Sequence, residues 1–128
     1  MLLLLNIVMQ AQNERTIEGG FASVDDIHKA MEQYDYEAVI QNLPPMSGDT
    51  LFTRLRAQAL KSMGRMSETL AEWNSLLPAD STNVKVIIEL AECYRQMGNT
   101  NKALACYRKA IEFKPKNKYF RLQYIRTL

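Results

Sequence analysis

The stretch "AECYRQMGNTNKALACYRKA", residues 91–110, decides the fold. It holds two segments that each carry Cys-Tyr-Arg, joined by Gly98-Asn99-Thr100. In and just before the first segment, Ile87, Leu90, Ala91 and Tyr94 recur at i, i+3, i+4 and i+7, one face of an α-helix over 83–97. Thr82 or Asn83 can cap its start by accepting a free backbone N–H. Gly98 sits just past its end, where a left-handed residue usually stops a helix. Thr100 or Asn99 can cap a second helix. Ala103, Tyr107 and Ala110 recur along it, with Leu104 and Ile111 beside them, and Pro115 ends it. So short a connection makes the two helices antiparallel neighbours. The alanines at 91, 103 and 110 let the backbones come close, and Tyr94 and Tyr107 fill the space around them.

One helix pair cannot bury its apolar face alone, so fixed-period similarity is expected. The shift that carries Gly64 onto Gly98 also aligns Ala57 with Ala91, Leu60 with Tyr94 and Met63 with Met97. The match continues through Leu70 and Leu104, Trp73 and Tyr107, Leu77 and Ile111. The same shift applied again pairs Tyr36 with Leu70, Val39 with Trp73, Leu43 with Leu77 and Pro44 with Pro78. The chain reads as a short array of helix pairs, an all-α solenoid of about two to three repeats plus a C-terminal helix.

Leu90, Ala91, Tyr94, Gly98, Ala103, Tyr107, Ala110 and Pro115 resemble the tetratricopeptide repeat, with Ile87 where that family usually has Trp. Residues 84–117 carry the resemblance most fully. Over 50–83, Thr69 replaces the small Ala, Arg56 stands where Leu90 stands one repeat later, and Pro78 comes early. There the first helix reads as rotated, with Phe52, Leu55, Ala59 and Met63 as its apolar stripe. Over 22–49 the repeat is degenerate. Residues 118–128 form a terminal helix capped by Asn117, either closing the array or opening a further repeat.

The rest of the chain bounds the function. Its 128 residues suit one domain. A net charge of +2 gives no reason to expect nucleic acid. The most basic stretch, "FKPKNKYFR" at 113–121, reads as a solvated turn and helix start. "MLLLLNIVMQA", residues 1–11, is too short to span a bilayer, which takes about 20 apolar residues. It fits the apolar core of a signal peptide cleaved after Ala11, followed by a linker over 12–21. A packed N-terminal helix and a membrane anchor are the alternatives. With the signal, the chain is periplasmic or extracellular and not inserted in a membrane once the signal is removed; without it, cytoplasmic.

Catalytic machinery is not legible. His28 is the single histidine, and Cys93 and Cys106 have no zinc spacing, so neither metal nor cofactor is expected. The two cysteines read as small packed thiols, with a disulfide chemically possible if the chain is exported. Asp25-Asp26-Ile27-His28 reads as a helix start capped by Ser23, with acids favoured by the dipole. The chain is therefore expected not to be an enzyme.

In the resembled family the first helix of each pair lines a concave groove that binds a partner's peptide or helix. The resemblance implies groove residues Lys85, Ile88, Glu89, Glu92, Arg95 and Gln96, joined by Arg54, Gln58 and Lys61. Some members grip a C-terminal carboxylate with Lys, Arg and Asn; here Glu89, Tyr119 and Gln123 stand at those places, against that activity. The expected function is a scaffold or adaptor that binds another protein. A structural spacer of a larger cell-envelope protein, self-associating through the terminal helix, is the alternative.

Overall fold

The computed structural model describes residues 23–128, and the leader and linker read over 1–21 lie outside the described residues. Seven helices follow one another among the described residues: α1 Val24–Glu32, α2 Tyr36–Asn42, α3 Thr50–Ser62, α4 Met66–Asn74, α5 Val84–Gln96, α6 Thr100–Phe113 and α7 Lys118–Thr127. Each packs mainly on the helices before and after it in the chain, which makes the array quasi-one-dimensional.

Short polar side chains set the starts. Ser23 and Asp26 form a capping box on α1. Asp49, Asn83, Asn99 and Asn117 cap α3, α5, α6 and α7 by accepting from Phe52, Val86, Lys102 and Phe120 N–H. The stops share one geometry. The N–H of Asn99 donates to the Tyr94 carbonyl at 2.8 Å, that of Arg65 to Leu60 at 2.9 Å, and that of Asp35 to Ala30 at 2.8 Å. The residue before each donor is left-handed: Gly98 (φ 78°), Gly64 (φ 76°) and Tyr34 (φ 60°).

Tyr34 thus plays the part of the glycines, and it corrects the repeat register. The step from Tyr34 to Gly64 is shorter than the step from Gly64 to Gly98, so the first pair does not keep the expected period. On the shorter step Val39 matches Thr69 and Ala103, Leu43 matches Trp73 and Tyr107, and Ile27 matches Ala57 and Ala91; every one of these is buried. The expected pairings of Tyr36 with Leu70, Val39 with Trp73, Leu43 with Leu77 and Pro44 with Pro78 fall. The cause is the short α2 and its short connection to α3, which hid the period from a reading keyed on Gly and Pro.

Helix α3 also departs from the rotated stripe. Leu55 and Ala59 are buried, but so are Thr53, Arg56, Ala57 and Leu60; Phe52 is half-buried and Met63 exposed. Leu55 and Ala59 face the core shared with Ile27, Val39 and Leu43. Ala57 faces the core shared with Trp73, Leu76, Val86 and Leu90. The helix is not rotated; it is central and covered on two sides. Thr53 stands where α5 has Ile87, and its hydroxyl is buried without a hydrogen-bond partner. Leaving a buried polar group unpaired is unfavourable. Thr53→Val is expected to raise stability by about 1 kcal/mol in urea denaturation; a loss would mean that the hydroxyl is satisfied in solution.

Arg56 is the largest departure from the expected pattern. Its Nε donates to Glu72 Oε1 at 2.7 Å, and the side chains are only 11% and 3% exposed. Its Nη1 donates to the carbonyls of Ile40 (2.9 Å) and Leu43 (3.3 Å), at the C-terminal end of α2. A guanidinium there satisfies orphan carbonyls and complements the helix dipole. The Met46 N–H donates to both Glu72 oxygens at 3.1 and 3.2 Å, holding Met46 at a left-handed φ of 47°. One buried pair therefore ties α2, the 43–49 connection, α3 and α4 together.

Ala91, Ala103 and Tyr107 form the third core cluster, against which Ile88, Tyr94 and Tyr124 pack. Cys93 and Cys106 are free thiols; Cys93 is fully buried, and burial pushes its thiol up to about 11.

Candidate functional site

The first helices of successive pairs, α3 and α5, and the terminal helix α7 border one cavity of about 370 Å³. Arg54 and Gln58 come from α3, Lys85, Ile88 and Glu89 from α5, and Phe120 from α7. The floor is Trp73 at the end of α4, Leu76 just beyond it and Phe120, with Val84 and Val86 from α5. The result is an apolar floor with a charged rim.

Five of the nine residues expected in a groove line this cavity: Arg54, Gln58, Lys85, Ile88 and Glu89. Ile88 is half-buried, because it also packs on the third core cluster. Lys61 and Glu92 form a separate bridge between α3 and α5, with Nζ donating to Oε2 at 3.5 Å. The Tyr119 hydroxyl of α7 donates to the other Glu92 oxygen at 3.0 Å. Glu92 thus links all three helices. Arg95 and Gln96 are exposed in the last turn of α5 and do not line the cavity.

Trp73, Leu76 and Phe120 were not legible as cavity-lining residues. Trp73 falls on the buried spacing of the repeat and is 6% exposed, so pattern alone reads it as core. Its indole N–H is buried without a hydrogen-bond partner, although Trp usually pairs that donor when buried.

Electrostatics single out Glu89. Burial holds its carboxyl above the usual range, Lys61 works against that, and Glu92 reinforces it. A carboxyl whose folded pKa is raised destabilises the fold at a pH where it must ionise, and has no such effect once it is protonated in both states. Glu89→Gln is therefore expected to raise the melting temperature at neutral pH. The gain should vanish as the pH falls below about 4.5, the ordinary value. A gain that persists in acid would point to packing instead.

Among the described residues no group of His, Cys, Asp and Glu could hold a metal, and no helix is long and apolar enough to cross a membrane.

Comparison with known proteins fits this geometry. Residues 84–117 match the family model of the tetratricopeptide repeat. Among solved structures, the chain is similar to the first TPR of Spaghetti (RPAP3) bound to the HSP90 peptide SRMEEVD, at 14% identity and a TM-score of 0.62, covering 80% of this chain and 85% of that one. It is similar to the Sgt2 TPR domain from Aspergillus fumigatus, at 17% identity and a TM-score of 0.64, covering 80% and 72%. The Arabidopsis OM64 TPR domain matches at 17% identity and a TM-score of 0.62, covering 80% and 88%. At these identities the likeness concerns the fold. No curated protein sequence matches the chain.

Proposed function

We propose that this chain, whose residues 84–117 are a tetratricopeptide repeat within a TPR-domain fold, is a protein-interaction module that holds an extended segment of a partner between α3, α5 and α7. The observation that carries the reading is the cavity itself. Its volume of about 370 Å³ lies in the range of roughly 300–1,000 Å³ typical of ligand sites. It joins an apolar floor, Trp73, Leu76 and Phe120, to a rim of opposite charges, Arg54 and Lys85 against Glu89. That suits a segment with one large apolar side chain on the floor, a carboxylate toward Arg54 and Lys85, and a cation toward Glu89.

The Spaghetti TPR is bound to the peptide SRMEEVD. This chain is not proposed to take that peptide, because Glu89 and Glu92 would oppose its run of acids. In our reading residues 1–11 direct export, and N-terminal sequencing of the mature protein should begin at Gln12; a start at Met1 would overturn that part.

The groove is tested by placing a photocrosslinking amino acid at Gln58 and another at Lys109, an exposed position of α6 away from the cavity. In native extract, partner adducts are expected from position 58 only, and the Arg54→Glu, Lys85→Glu variant should lose them while melting normally. Adducts from both positions, or adducts that survive the charge reversal, would contradict the groove reading.

A further inference from the structure

We infer that copies of this chain associate through two unlike turns: the α1–α2 turn of one copy, with Tyr34 at its tip, seats in the α6–α7 turn of another. Tyr34 is 76% exposed, and its ring meets Tyr36 edge-on. The turn itself does not need that ring. Gly64 and Gly98 hold the same left-handed position in the other helix pairs with no side chain at all. Glycine takes that conformation more readily than tyrosine, so folding alone gives no reason for a ring there. The receiving surface is a shallow hollow of about 390 Å³ bordered by Phe113, Lys114, Pro115, Lys116 and Asn117. Phe113, 40% exposed, and Pro115 supply its apolar part. This turn runs from one helix pair to the helix after it. Helices that follow such a connection do not cover it: residues 78–82 are exposed although α5 and α6 come after them. Neither turn borders the cavity, so this contact and the groove use different residues.

Charge selects a second copy as the occupant. Residues 23–49 carry six carboxylates against one lysine, and residues 98–121 carry seven cations against one carboxylate. The exposed charges around Tyr34 are Glu32, Asp35 and Glu37. Arg65 acts on Glu37 but is held by Glu68, to which its Nε and Nη2 each donate at 2.8 Å. The exposed charges around the hollow are Lys114, Lys116 and Lys118. An aromatic ring among acids thus matches an apolar hollow among lysines. Interfaces commonly centre on such a buried aromatic within a polar rim. Two acidic turns or two basic turns would set like charges together, which is unfavourable. The contact is therefore heterologous, joining different surfaces of identical chains.

Sedimentation equilibrium of the full chain tests the contact. The average mass should rise with protein concentration and fall as salt is added, because exposed ion pairs are screened. Tyr34→Gly keeps the left-handed turn and removes the ring. It should weaken association about tenfold or more with no drop in melting temperature. Glu32→Lys with Glu37→Lys should leave the chain monomeric, and so should Lys114→Glu with Lys116→Glu. An equimolar mixture of those two variants should associate again, because the intact acidic turn of one meets the intact basic turn of the other. Recovery on mixing also separates the effect from unfolding. A parent chain that stays monomeric at every concentration, association that survives Tyr34→Gly, or charge variants that do not recover on mixing would overturn the inference.

Discussion

Glu72→Ala is expected to cost about 3–5 kcal/mol, because it strands the Arg56 guanidinium in a nearly dry site. It also frees the Met46 N–H, which donates to both carboxylate oxygens, and so releases a connection held in a left-handed conformation. Small domains have only about 5–15 kcal/mol in all. The melting temperature should therefore fall by more than about 10 °C. The companion variant decides the mechanism. Arg56→Leu with Glu72→Ala puts at position 56 the residue that α5 carries at Leu90, and leaves no uncompensated charge. It should recover most of the loss, since replacing both members of a buried pair by apolar groups is often close to neutral. It will not recover all of it, because the carbonyls of Ile40 and Leu43 lose their donor. Losses that simply add in the double variant would mean that the two side chains act independently.

Tyr107→Ala is expected to cost about 3–5 kcal/mol as well, by a different route. Tyr107 is the largest fully buried side chain among the described residues, held between Ala91 and Ala103 where α5 meets α6. Its fully buried neighbours in the cluster are Ala91 and Ala103, whose short side chains cannot move in to fill the space. The cavity should therefore stay open, and loss scales with the cavity that remains. A melting temperature within a few degrees of the parent would show that α5 and α6 collapse onto each other, against the close packing described here. The effect should appear as a lower denaturation midpoint with an unchanged m-value.

The pair α5 and α6 was the most legible because local signals agreed with packing. Asn83, Gly98, Asn99 and Pro115 bound the helices, and Ala91, Ala103, Tyr107 and Ala110 fall on the buried spacing. The first pair was misregistered. Its helix stop is Tyr34, whose left-handed backbone no residue-type rule anticipates, since such a conformation normally costs a non-glycine residue about 1–2 kcal/mol. Arg56 and Glu72 were hidden for a related reason. Each is ordinary as a surface residue, and only the fold brings positions 40, 43, 46, 56 and 72 to one point.

Of the cavity, the sequence reading reached the rim and not the floor. Arg54, Gln58, Lys85 and Glu89 are polar positions on the first helices, which the family resemblance placed on the concave side, and they line the cavity. Trp73 and Phe120 carry no such mark, because an apolar side chain under a groove follows the same period as one in the core. Arg95 and Gln96 share the helix face but sit a turn too far along α5, beyond the cavity. Helical period fixes direction around the axis, whereas the extent of a cavity along it depends on where α7 closes the end.

Trp73 is the only tryptophan in the chain, so its fluorescence reports on the floor of the cavity alone. The decisive measurement is a titration of the full chain with the partner segment crosslinked at position 58, followed by Trp73 emission. A saturable change in emission, shifted about tenfold or more to weaker binding by Arg54→Glu with Lys85→Glu at an unchanged melting temperature, is the expected result. Binding that leaves Trp73 emission unchanged, or that ignores the charge reversal, would contradict a groove between α3, α5 and α7 as the binding site.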